Sequence, residues 1–106
     1  MAKYLIEATF TSGDSLKKVE REGAEAREAA VRGAVESLGG KLDCIYYALG
    51  EFDTVSIVDL PDNVTAAALS FAISGSGLMR TKTTALLTMA EGQEAFSKGV
   101  AYTPPG

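Results

Sequence analysis

Two kinds of hydrophobic spacing alternate along this chain, and their order limits the fold more than any other feature. From Lys3 to Thr11, Tyr4, Ile6, Ala8 and Phe10 interleave with Leu5, Glu7, Thr9 and Thr11, the two-residue period of a strand. Ser12-Gly13-Asp14-Ser15 interrupts it, and either Ser12 or Asp14 can cap a helix that begins there. Over Leu16–Leu38 the apolar residues Ala24, Val31, Ala34, Val35 and Leu38 recur at the spacing of one helix face. Gly23 marks a break between a short first turn and the main helix, and Gly39-Gly40 ends it. Strand patterns return at Lys41–Leu49 and Thr54–Leu60, and the short turn at Gly50–Asp53 makes them an antiparallel hairpin. Pro61-Asp62-Asn63 starts a second helix, with Asp62 or Asn63 as its cap. From Val64 to Ile73 that helix is apolar nearly all round, which predicts cover on more than one side. Ser74–Gly77 stops it. Leu78–Thr88 reads as a fourth strand, Ala90–Lys98 as a weak terminal helix and Tyr102–Gly106 as a tail.

The resulting order, βαββαβ, is the split βαβ arrangement of ferredoxin-like folds. It predicts an α+β domain: a four-stranded antiparallel sheet with two helices on one face, plus a short C-terminal helix. Residues 1–106 form a single domain, with a core over 2–88 and the terminal helix and tail over 89–106. Strand two carries large residues on both sides, Tyr46 against Ile45 and Tyr47, so the sheet needs cover on both faces. The helices supply one cover. A second copy of the chain is the simplest source of the other, and a homodimer or higher even oligomer is expected.

Hydrophobic residues at 46% and charged residues at 23% place the chain among globular proteins rather than disordered ones. Ten cations against fourteen carboxylates give a net charge of −4, which provides no electrostatic reason to seek nucleic acid or an anionic membrane. No leader pattern precedes the first strand and no apolar run approaches bilayer length, so a cytoplasmic protein is expected. Cys44 is the single cysteine, which rules out an internal disulfide. Its place among apolar strand residues reads as a buried, inert thiol. The chain has no histidine. That removes Ser-His and Cys-His nucleophile pairs, histidine-ligated haem and nearly all zinc sites. No metal and no cofactor is expected, and an enzyme here would have to work with carboxylates, lysine, arginine or tyrosine.

Few residues are left to carry chemistry. Asp53 at the hairpin can act as a base or ligand at the mouth of the sheet, or it can accept backbone N–H bonds that hold the turn. Arg80 and Lys82 share one face of strand four and can grip a small anionic ligand, helped by amides of Ser74–Gly77. The alternative is an edge charge that deters strand pairing, with Arg80 bound to Glu7 or Asp53. The Ser-Gly-Ser-Gly run comes after a helix and lacks the ending of a phosphate-binding loop, so it reads as a helix stop. Tyr46 and Tyr47 point to opposite faces, one under the helices with its hydroxyl satisfied and one toward a pocket or subunit seam. Arg80, Asp53 and Tyr47 are the candidate ligand-binding residues, at a concave site where two copies meet. There Arg80 grips either a carboxylate ligand or an acid of the partner.

Several segments together carry a resemblance: Lys3-Tyr4-Leu5-Ile6, Glu36 to Leu42, Gly50-Glu51-Phe52-Asp53, Val58 to Asn63, and Arg80-Thr81-Lys82-Thr83. From Ala2 to about Thr88 the chain resembles the GYD domain family, small bacterial proteins of dimeric α/β-barrel type. The Gly-Tyr-Asp signature is altered here, with Glu51 inserted and Phe52 in place of the tyrosine, so any role of that phenol is lost. The resemblance implies the fold and brings no established activity. It leaves three readings: a small-molecule-binding or regulatory dimer, a cofactor-free monooxygenase or isomerase of the kind found on related barrels, and a structural assembly subunit.

Overall fold

The computed structural model describes residues 1–106. Its elements are β1 (Ala2–Phe10), α1 (Gly13–Glu22), α2 (Ala24–Ser37), β2 (Lys41–Tyr47), β3 (Thr54–Leu60), α3 (Asn63–Gly75), β4 (Met79–Leu86) and α4 (Met89–Ser97). The four strands form one antiparallel sheet in the order β2-β3-β1-β4. This is the expected ferredoxin-like α+β architecture, with β2 and β4 as its edges. No helix is long and apolar enough to cross a membrane.

The two-residue period of β1 sends Tyr4, Ile6 and Ala8 to the helix side, where all three are buried. Tyr4 and Ile6 join Leu42, Val58 and Leu60 from the neighbouring strands, Val35 from α2, and Ala66 and Leu69 from α3 in one core cluster. Tyr4 carries the polar group in this cluster, and its hydroxyl lies 2.6 Å from Oδ1 of Asn63, which ties β1 to the start of α3. Ser12 caps α1 by accepting from the Ser15 N–H, and Asp62 caps α3 by accepting from that of Thr65.

Three expectations need correction. The stretch from Leu16 to Leu38 is two helices, because Gly23 adopts φ 95°, a left-handed conformation that no helix interior accommodates. Its break falls after ten helical residues, well past a first turn. Second, α3 buries only Ala66 and Leu69 fully, and Val64 and Phe71 on its outer side remain exposed. Third, Cys44 is half-buried and lies outside the helix-covered core. The pairing of β2 with β3 slips between Leu42 and Cys44, so Asp43 is an extra residue in the ladder. Leu42 pairs with buried Val58, whereas Cys44 pairs with Ile57, which points to the face without helices.

Gly40 is the tightest backbone position. A Cβ there would lie 2.3 Å from the Asp59 carbonyl oxygen and 2.7 Å from Leu60 Cδ2, so the start of β2 can approach the end of β3 only as glycine.

Candidate functional site

Between the helices and the sheet, the two-sided layer leaves a cleft of about 280 Å³. Ile6, Ala8 and Val58 form its floor, Val31 and Val35 of α2 one wall, and Leu69 and Ile73 of α3 the other. A second hollow of about 290 Å³ adjoins it. Arg27, Ile45, Tyr47 and Thr54 line both, and so form the rim where apolar interior meets solvent.

Arg27 supplies the positive charge of that rim. It sits in the first turn of α2, and its Nε is 3.5 Å from a Glu22 carboxylate oxygen at the end of α1. Nε is shielded from solvent without a well-formed hydrogen bond, while about a third of the side chain remains accessible. A guanidinium in this state has donors left over for a further acceptor. The neighbouring Glu28 is held by Arg32 at 2.9 Å. Sequence reasoning did not single out Arg27. The signal was its spacing, since Ala24, Arg27, Val31 and Val35 succeed one another at intervals of three, four and four, which puts the arginine on the apolar face of α2.

Of the residues singled out from the sequence, Tyr47 lines this cleft. It is 57% exposed and its hydroxyl has no protein partner, in contrast to the tyrosine expected under the helices, a place taken by Tyr4. Asp53 lies in the hairpin. Its carboxylate accepts from the Phe10 N–H at 2.8 Å, its own N–H donates to the Ala8 carbonyl, and its carbonyl accepts from Ala48. These bonds continue the sheet ladder past the last paired residues of β1 and β3.

Arg80 is on the other side of the sheet. It pairs in register with Thr9, whose neighbours Ala8 and Phe10 point to the helices. Arg80 has no ion pair, with neither Glu7 nor Asp53 as partner. Lys82 pairs in register with Glu7 and has its ammonium 6.0 Å from the centre of the Phe52 ring. Within one chain Arg80 and Tyr47 thus stand on opposite faces and opposite edges of the sheet.

The face without helices has its own order. Leu5, Cys44, Val55, Ile57 and Tyr46 form an apolar band across β1, β3 and β2. At one end Lys3 binds Asp43 and, at 3.0 Å, Asp59. These bonds hold the Asp43 carboxyl below its ordinary range and raise the Lys3 ammonium above its own.

Comparison with known proteins places this architecture. The crystal structure of the Mycobacterium tuberculosis leucine response regulatory protein (LrpA) superposes with a TM-score of 0.54 at 15% identity, covering 83% of this chain and 51% of that one. The chain thus spans about half the length of that protein, and the likeness is one of fold. No curated protein matches the sequence. The GYD domain profile matches residues 4–96, which takes in all of the sheet but its first two residues and nearly all of α4, beyond the limit near Thr88 suggested by the sequence segments. The chain belongs to the GYD domain family.

Proposed function

We propose that this protein is a small-molecule-binding subunit of a homodimer, and that its ligand is a compact apolar carboxylate. The apolar part fills the cleft between the helices and the sheet, and the carboxylate meets Arg27 at the rim, with Tyr47 and Thr54 beside it. The observation that carries this reading is a guanidinium with unused donors at the mouth of an otherwise apolar cleft. A volume of about 280 Å³ lies near the lower bound for ligand pockets, roughly 300 Å³, and so favours a small ligand. The fold is shared with a protein titled a leucine response regulatory protein, and leucine joins an apolar side chain to a carboxylate. Arg80 and the hairpin held by Asp53 serve the contact between subunits, where the open sheet face of each copy is covered by the other.

Calorimetric titration with leucine, 3-phenylpropionate and octanoate, and with their amides, tests the ligand. At least one acid should bind and its amide should not. Arg27→Met should weaken that binding roughly 10- to 100-fold, the worth of a charge-assisted hydrogen bond, and leave the melting temperature unchanged or raised. Equal binding of acid and amide, or an Arg27→Met protein that binds as well as the parent, would remove the assignment.

A further inference from the structure

Beyond β4 the chain departs from its own domain. α4 has no buried residue and makes no substantial contact with another element. The molecule is 55 Å long with a radius of gyration of 16.6 Å, against about 13 Å for a compact chain of this size. A nine-residue strand such as β1 spans only about 30 Å, well short of that length.

Two features make the arm a built element. Thr88 and Glu91 form a reciprocal capping box, with Thr88 N–H donating to the Glu91 carboxylate and Glu91 N–H to the Thr88 hydroxyl. This fixes the start of α4 two residues past the end of β4. The arm also exposes Leu87, Met89, Phe96, Val100 and Tyr102, each about two-thirds accessible or more. A nine-residue helix is too short to persist in water without a surface to bury its apolar side.

We propose that the arm, residues 87–102, crosses to a second copy of this chain, packs on that copy's open sheet face, and brings Glu94 to its Arg80. The two surfaces are complementary. The arm carries Glu91 and Glu94 against one cation, Lys98, just past the end of α4. Glu91 is engaged in its cap, which leaves Glu94 free. The exposed edge of the open face carries Arg80 and Lys82, neither with a carboxylate in bonding range, beside the apolar band of Leu5, Val55 and Ile57. One chain thus holds both an acidic, apolar arm and a basic-edged, apolar face, each lacking a partner. A two-fold pair satisfies both at once with the same contact made twice. This inference rests on the homodimer proposed above and adds what holds it.

Sedimentation of the 106-residue chain at micromolar concentration tests it, with Phe96→Asp, Arg80→Glu, Glu94→Arg and the Arg80→Glu/Glu94→Arg double variant. Phe96 is 84% exposed in its own chain, so its replacement spares the fold. The parent should be a dimer and Phe96→Asp a monomer. Each single charge reversal should weaken dimerisation about tenfold or more, and the double reversal should restore it. A Phe96→Asp protein that dimerises like the parent overturns the arm exchange and leaves the homodimer standing. A monomeric parent overturns both. A Phe96→Asp protein with unchanged mass and a lowered melting temperature shows an arm folded on its own domain and also overturns the exchange. Single reversals that the double variant does not rescue overturn the Glu94–Arg80 pairing.

Discussion

The smallest side chains set some of the tightest constraints. Gly40 is held between α2 and the end of β3, with the Asp59 carbonyl and Leu60 where its Cβ would be. Gly40→Ala should therefore cost about 3 kcal/mol, the upper range for overpacking, because the nearest obstacle is backbone and not a movable side chain. Chemical denaturation would show it as a lowered midpoint with an unchanged slope. A cost below about 0.5 kcal/mol, the usual size for an unconstrained surface site, would mean that β2 can shift its start freely. Gly50 has open space around it and serves as a contrast. Arg27 shows the opposite lesson. Its charge argues for solvent and its helical spacing for the core, and the structure satisfies both by placing it at the rim.

At the scale of elements, caps decide where helices start. Ser12 accepts from the Ser15 N–H and also lies 3.1 Å from the Ser15 hydroxyl, which is itself buried. Ser12→Ala should destabilise the fold by about 1 kcal/mol, as measured by thermal or urea unfolding. Thr88→Ala, by contrast, should reduce helical circular dichroism in proportion to α4 and, with the arm held by another copy, weaken dimerisation in sedimentation. Element types and order were legible because each strand and helix has its own period and the caps at Ser12 and Asp62 are explicit. Three things were not. The Gly23 break looked like a terminal turn because a helix pattern continues on both sides of it. The insertion at Asp43 changes the parity of β2, so Leu42 and Cys44 read as sharing a face when they do not. The outer side of α3 carries apolar residues, which argues for cover that a single chain does not provide.

For the molecule as a whole, charge sets the range of pH over which the fold is most stable. Asp43 is held below the ordinary carboxylate range by Lys3, and Asp62 by the side chain and then the backbone N–H of Thr65. Folding therefore releases protons at these sites. Their contribution is complete above the unfolded carboxylate range, about pH 4, and is lost as pH falls through and below it. Lys3 has the reverse sign. Asp43 and Asp59 raise it, so its contribution is full below its ordinary value of 10.5 and is lost as pH rises through the higher folded value. Urea midpoints should thus be flat near neutrality and decline at both extremes. These groups are exposed and screened, so the slopes should be shallow and flatten further in salt. Glu91 is also depressed, by the Thr88 N–H, and its acid loss should appear as fraying at the start of α4. A stability that rises on acidification below pH 4 would contradict the assignment.

The extra residue at Asp43 bears on how this strand can change in length. Removing any other residue of β2 would turn one segment of the strand inside out, exchanging buried for solvent-facing side chains. Removing Asp43 would leave every neighbour on its present side and cost only an exposed ion pair with Lys3. A chain shortened at that position should fold with its aromatic edge unaltered, whereas one shortened at Ile45 should not. Natural insertions and deletions in strands of this kind are expected to accumulate where the ladder already holds a surplus residue.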